Sequence, residues 1–430
     1  MTFSYLQIFL TVSLPIMGLA YALLGCIKLS LVERLQIDEG KVGKMVGAFG
    51  TMFGPTIVLC GFLTDHLGPK EVWVVGSAVL ALAIFILATT RSYAGAVVAV
   101  LLLGVGWAAQ VNVGNVLMRI ATPKDRPPAE LIWVTNFYDF VFGFGAFVTP
   151  MLLGFLLRKM AYTKAVILIA AVAVLPVVLG IPANMTEAPE PPKSEAPAKA
   201  EAAPAEKPVE KPAEKPAEPP KETGIGGLLK SPLFWVIGFA FLFFVPLETS
   251  VGGWATTLVT RNTPQEVAPE SAKKAADLAL TGYWMGFTGS RLLVSLFGSF
   301  GIMAKILGPN EATHPQKLLL VMASISVAVM VYTVFLRGRG QAIGAVLLAG
   351  LAFGPVFPTM MGIVLLSVPP EAMGRAVGFF FFFASVGWTV IPALIGTVAK
   401  RTDNIQKGFA VAAASGAVFL AFVIARGLMV

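Results

Sequence analysis

The sequence predicts an all-α membrane protein, with twelve transmembrane helices in two pseudo-symmetric six-helix halves. Three observations predict it. Of 430 residues, 56% are hydrophobic and only 13% charged, against about 25% charged in a soluble domain. The apolar residues gather into runs long enough to cross a bilayer core, which takes about 20 residues per helix. The later runs also repeat landmarks of the earlier ones at a fixed offset.

The runs follow in order at 5–31, 42–64, 72–90, 94–119, 130–157 and 164–182, then at 232–260, 277–304, 317–336, 341–368, 373–399 and 407–427. Charges or turn residues end each one, as at Asp65-His66-Leu67-Gly68-Pro69-Lys70 and Arg337-Gly338-Arg339-Gly340. Gly and Pro recur inside them, which membrane helices tolerate better than soluble ones. The first run lacks a basic leading segment and stays apolar too long for a signal peptide. Residues 184–222 consist almost entirely of Ala, Pro, Glu and Lys. Such a stretch cannot bury a core, so it is expected to be disordered or extended. The organisation is then a first half at 1–183, a linker at 184–230 and a second half at 231–430.

The two halves echo each other. The fifth run carries Gly145, Pro150, Gly154 and Arg158, and the eleventh carries Gly387, Pro392, Gly396 and Lys400, all displaced by 242 positions. Leu67-Gly68-Pro69 returns as Leu307-Gly308-Pro309 at an offset of 240. A parallel repeat of six helices is a transporter signature, with the site expected near the midplane between the repeats.

Composition excludes other classes. A charge content this low cannot coat a cytosolic enzyme of this length. The net charge of +8 is scattered among apolar runs rather than clustered on a nucleic-acid-binding face. Cys26 and Cys60 lack a disulfide or metal spacing, and with His66 and His314 they assemble no zinc or haem site. No nucleophile–base set or phosphate-cradling loop appears. The expectation is therefore no enzyme, no cofactor and no metal, but a monomer in a lipid bilayer acting on a small-molecule substrate.

At Gly61, Asp65, Gly68 and Lys70 the chain resembles the loop that major facilitator superfamily transporters place between their second and third helices. His66 and Pro69 stand where that family usually has basic residues. The resemblance implies that Asp65 caps the helix starting near Gly374, pairs with Arg119 on the fourth helix and latches the inward side shut. A carboxylate at a helix N-terminus is favourable by about 0.3–1 kcal/mol. A narrower resemblance is to fucose permease-like sugar–proton symporters. It is carried by Glu248, Gly252 and Trp254 on the seventh run, Gly286, Gly289 and Arg291 on the eighth, and Gly354, Pro355, Phe357, Pro358 and Thr359 on the tenth. Unlike that group, the first run has no acid in its core, and the fourth offers the amides Gln110, Asn112 and Asn115.

Charges inside a bilayer are costly and are functional candidates by default. Lys28 lies near the far end of the first run, where it can snorkel to the interface. Asp139 shares a helical face with Thr135 and Asn136, and is a candidate for gating, coupling or binding. Arg291 lies at a similar depth on the eighth run. Because the fifth and eighth helices pack across the halves in the resembled fold, an Asp139–Arg291 ion pair is expected to make and break during alternation. Alternatively, the Arg291 guanidinium binds an anionic substrate. Glu248, beside Gly252, Gly253 and Trp254, is a candidate for proton coupling or substrate hydrogen bonding. Asn112, Asn115 and Asn136 offer donors and acceptors suited to hydroxyl-rich ligands, and Trp107, Trp254, Trp284 and Trp388 could stack on a sugar ring.

The function expected is secondary active transport of a small polar solute, a sugar or sugar derivative, by alternating access with proton coupling. Two alternatives stay open. One is transport of a small organic anion with Arg291 as counter-charge. The other is a non-transporting receptor signalling through the linker. The expected location is a cell membrane, the inner one if bacterial. Lys and Arg divide evenly between the two faces, so the positive-inside rule does not set orientation. Orientation rests instead on the Asp65 loop and the linker, both cytoplasmic in the resembled family.

Overall fold

A computed structural model describes residues 4–37, 39–123, 127–186 and 225–429. The first half holds α1 (Tyr5–Leu35), α2 (Glu39–Leu67), α3 (Pro69–Thr89), α4 (Tyr93–Ile120), α5 (Pro128–Lys159), α6 (Tyr162–Ala173) and α7 (Leu175–Gly180). The second holds α8 (Ile225–Lys230), α9 (Pro232–Arg261), α10 (Pro269–Ser299), α11 (Ile302–Leu307), α12 (His314–Val334), α13 (Arg339–Phe353), α14 (Val356–Ser367), α15 (Met373–Thr402) and α16 (Ile405–Met429). The expected linker lies outside the described residues from 187 to 224. Its last part was expected to be unstructured, but Ile225–Lys230 forms one short helix. That stretch is free of proline and carries Ile225, Leu228 and Leu229, and Leu228 packs against the core of the second half.

Local chemistry sets the ends and breaks. Ser4 opens α1 with a reciprocal cap, its hydroxyl accepting from the Gln7 amide at 3.3 Å while the Gln7 side chain accepts from the Ser4 amide at 3.0 Å. Pro176 divides the sixth crossing into α6 and α7, and Pro355 divides the tenth into α13 and α14, because proline has no N–H for the helical ladder. Gly301, at φ 68°, ends the eighth crossing before α11. Eleven spans among the described residues are long and apolar enough to cross a bilayer. The twelfth crossing is α10, 31 residues long, whose first turns carry Glu270, Lys273, Lys274 and Asp277. The eighth run was expected to begin at 277, but the helix starts two turns earlier. Those turns are polar and leave no hydropathy signal.

The repeat is built into the packing. Gly145 on α5 lies against Pro15 of α1, so closely that a Cβ there would sit 2.0 Å from the Pro15 carbonyl oxygen. Its counterpart Gly387 on α15 packs the same way on α9, with the Leu242 carbonyl oxygen 2.0 Å from the position of a Cβ. The loop glycines Gly68 and Gly308 match as well, at φ 100° and 96°. Each half has its own apolar core, around Trp73, Phe9 and Leu80 in one and Phe241, Phe353 and Phe409 in the other. Exposed apolar side chains such as Leu59, Val75, Phe155 and Phe335 cover the outside, where lipid is the solvent. Enlarging Gly145 or Gly387 to leucine should force two helix backbones apart at a cost of about 1–3 kcal/mol. Thermal melting in detergent should show both variants destabilised, whereas Gly154→Leu, which meets open space, should melt like the parent.

Candidate functional site

The halves meet at two seams. In one, α2 packs along α15; in the other, α5 packs along α10 and α14. Between them lies a cavity of about 580 Å³, within the range typical of small-molecule sites. Both halves wall it. Tyr21 of α1, Phe53 of α2, Trp107 and Asn115 of α4 and Asp139 of α5 face Glu248 of α9, Trp284 and Arg291 of α10, and Phe381 and Trp388 of α15. The wall is mainly aromatic. Tyr21 stacks on Trp107 with centroids 4.9 Å apart, and Phe53 lies 4.7 Å from the same indole. Asn115, Thr249, Thr281, Thr288 and Ser385 add neutral polar groups.

Three charges converge here. Arg291 is 5% exposed and Asp139 9%, and an Arg291 Nη1 lies 3.9 Å from Asp139 Oδ2. The same nitrogen donates to the Asp139 backbone carbonyl at 3.3 Å. Nε donates to the carbonyl of Gly354 at 2.9 Å, an acceptor at the break where Pro355 interrupts the ladder. The guanidinium also stacks over the Phe287 ring at 4.2 Å. Arg291 therefore ties α5, α10 and the α13–α14 break together. The Glu248 carboxylate lines the same cavity and has no hydrogen-bond partner among the described residues; Tyr283 instead donates to the Glu248 backbone carbonyl at 3.0 Å. Arg291 and Asp139 are both within electrostatic reach of Glu248. One cation thus faces two carboxylates, and its contacts belong to Asp139.

A second polar cluster closes the α2–α15 seam. Asp65 accepts from the amides of Gly374 at 2.8 Å and Arg375 at 3.1 Å. Arg375 Nε donates to its second oxygen at 2.6 Å. The expected capping of α15 is present, but its basic partner is Arg375 rather than Arg119. The reason is local: Arg375 stands in the first turn of the capped helix, so its side chain folds back onto the carboxylate that caps it. Arg119 and Lys70 make no polar contact among the described residues. The contribution of α4 comes from Asn112, whose Nδ2 donates to the Gly374 carbonyl at 2.9 Å while Oδ1 lies 2.9 Å from the Thr64 hydroxyl. Gly61 permits the approach, since a Cβ there would sit 2.4 Å from the Gly374 carbonyl oxygen. Gly68, at positive φ, turns the chain into α3.

The other seam is closed on the same side. Trp133 lies flat against Gly298, Thr135 reaches the Pro358 carbonyl at 3.0 Å and Asn136 reaches the Thr359 hydroxyl at 3.4 Å. These contacts fall in the halves of their helices nearer Asp65. Met151, Thr281 and Trp388 line the end of the cavity farther from Asp65.

Of the residues expected to bind substrate, Asn115, Glu248 and Arg291 line the cavity, whereas Asn112, Asn136 and Trp254 do not. Asn112 and Asn136 are fully buried in the seams. Trp254 faces Gly396 between α9 and α15, because α9 turns its Glu248 face, not its Trp254 face, inward. The side chain of Lys28 lies outside the described residues. Sequence reasoning missed Tyr21 and Phe381 in the wall and Arg375 beside Asp65. For Arg375 the signal was available, as a basic residue directly after the glycine that begins the capped helix.

A family model described as Major Facilitator Superfamily matches residues 9–392. Among curated proteins nothing matches significantly. Several solved structures share the fold. The Escherichia coli fucose:proton symporter FucP is 16% identical over 97% of both chains, with a TM-score of 0.71. The human organic anion transporter TETRAN is 15% identical, over 96% of this chain and 98% of its own, with a TM-score of 0.68. The proton:xylose symporter XylE, bound to 6-bromo-6-deoxy-D-glucose, is 11% identical, over 98% of this chain and 95% of its own, with a TM-score of 0.70.

Proposed function

This chain belongs to the Major Facilitator Superfamily of membrane transporters, and from that premise we propose that it moves a small, uncharged, hydroxyl-bearing ring solute, a sugar or sugar derivative, by proton-coupled alternating access. The observation that carries the proposal is the cavity between the halves, with Glu248 unpaired on a wall of aromatic rings and neutral hydroxyls. Indole faces stack on the apolar face of a sugar ring, and Asn115, Thr249, Thr281 and Ser385 suit its hydroxyls. The fucose:proton and proton:xylose symporters that share the fold agree with this reading.

The organic anion reading, which the human organic anion transporter of the same fold suggests, fits less well. Among the described residues Arg291 is the only cation in the cavity wall, and Asp139 already balances it. A carboxylate solute would meet Glu248 with no free positive charge opposite.

In our reading the Asp65 face is cytoplasmic, and the conformation described here presents the cavity to the other side. Solute and a proton at Glu248 neutralise the one uncompensated charge in the cavity. The halves then rock about the site, breaking the Asp65–Gly374 cap and the α5–α10 contacts to open the cytoplasmic path. Glu248→Gln mimics the neutral state. In proteoliposomes this variant should exchange solute for solute while losing accumulation driven by a pH gradient. If it accumulates solute with the same pH dependence as the parent, Glu248 is not the coupling site.

A further inference from the structure

We propose that the second half holds a small monovalent anion, a halide such as chloride, against the buried guanidinium of Arg426. The site lies apart from the cavity between the halves, and it does not depend on which solute the protein moves.

The fold leaves this charge alone. Arg426 stands in the last turn of α16. That turn ends the twelfth crossing, so it shares the face of Asp65, which ends the second. Arg426 is 9% exposed. Its Nη1 donates to Gln316 Oε1, and its Nε is buried with no partner among the described residues. Gln316, in the first turn of α12, is itself committed: its Nε2 donates to the Val423 carbonyl at 2.8 Å. Its side chain lies across Gly427, where a Cβ would sit 2.6 Å from that nitrogen. Gln316 therefore positions the guanidinium but brings no charge. Among the described residues no carboxylate pairs with Arg426 and no other ionisable group acts on it. A buried charge needs a partner. A lysine could shed its proton instead, but a guanidinium does not, so an anion has to balance it.

The space beside the guanidinium selects the anion. Ile237 and Ala240 of α9, Leu319 of α12, Met360 and Ile363 of α14 and Phe422 of α16 line a slot there. It measures about 10 Å³, against about 580 Å³ for the cavity between the halves. That is close to the least that holds one water-sized particle. Apart from Arg426 these walls are apolar, so the several oxygens of a phosphate, sulfate or carboxylate would stay mostly unpaired. A halide is a single atom with a single charge, and it can take the free Nε–H without asking for donors on its other sides. Every element around it belongs to the second half. The ion should therefore stabilise that half and leave the α2–α15 seam as it is.

The test uses purified full-length protein and radiolabelled chloride, with thermal melting as a second readout. Chloride replaces gluconate at constant ionic strength. The parent should bind one chloride per chain, and its melting temperature should rise saturably as chloride concentration passes Kd. Bromide should compete with the label, and sulfate should not. Arg426→Gln should weaken chloride about tenfold or more, the order of effect that a close charge contact produces. Arg291→Met should bind chloride like the parent. The absence of saturable chloride binding to the parent would overturn the inference, and that measurement needs no variant to fold. So would loss of chloride binding in Arg291→Met with retention in Arg426→Gln, which would move the ion to the central cavity. Saturable stabilisation by phosphatidylglycerol in mixed micelles, with none from chloride, would give Arg426 to a lipid headgroup and overturn the inference as well.

Discussion

Arg291→Met is expected to reduce solute uptake by on the order of a hundredfold or more while leaving a folded protein. Removing one partner of a buried ion pair costs about 3–5 kcal/mol, and each 1.4 kcal/mol is a factor of ten. Here the loss is compounded. Without the guanidinium, Asp139 and Glu248 share one cavity as unbalanced carboxylates, and the Gly354 carbonyl at the α13–α14 break loses its donor. The methionine keeps most of the stem that packs along Phe287. Asp139→Asn should be milder, because the Asp139 backbone carbonyl still accepts from Arg291 and only the long 3.9 Å charge contact is lost. The exchanged pair Asp139→Arg with Arg291→Asp should recover part of the activity lost in each single exchange. Recovery should be partial, since an aspartate at 291 has no donor for the Gly354 carbonyl. Initial uptake rates in proteoliposomes, with melting temperatures as a folding control, decide the matter. Uptake by Arg291→Met above about a tenth of the parent rate would remove the pair from the mechanism.

Much of this could be read from the sequence because a bilayer leaves few options. Every crossing must be a long apolar helix, so twelve runs announce themselves, and a charge inside one is conspicuous. Asp139, Glu248 and Arg291 all reach the cavity for that reason. Gly145 and Gly387 were visible as a repeat because close helix contact leaves no room for a side chain. What hydropathy could not show is rotation. Asn112 and Asn115 are three residues apart on α4, about 60° around the helix, yet one lies in a seam and the other in the cavity. Trp254 and Glu248 sit on one run, and only the packing of α9 decides which faces inward. The polar start of α10 escaped for a simpler reason: turns that project beyond the apolar core need not be apolar.

Asn112 carries the second large effect. In the closed seam its amide satisfies the Gly374 carbonyl and meets the Thr64 hydroxyl, with no exposure to solvent. Those groups must separate when α2 and α15 part. Asn112→Leu therefore penalises the closed seam specifically, removing the one amide bond from α4 to the Gly374 carbonyl, which keeps its partner within α15, at a cost of about 0.5–1.5 kcal/mol. Asp65→Ala should be larger, since it removes two amide bonds and an ion pair to Arg375 at once, bonds to an ionised group being about twice as strong as neutral ones. Both shift one equilibrium, and a shift of about 2.8 kcal/mol changes the ratio of states a hundredfold. Spin labels at His66 and Glu371, exposed on either side of the seam, in a background without Cys26 and Cys60, should report longer distances in the order parent, Asn112→Leu, Asp65→Ala. Asp65→Glu should restore part of the short-distance population by keeping the charge. Arg119→Ala should leave the distribution unchanged, because the latch draws its cation from α15. If Arg119→Ala opens the seam as far as Asp65→Ala does, the latch is held from α4 by charge, and the role assigned to Arg375 is wrong.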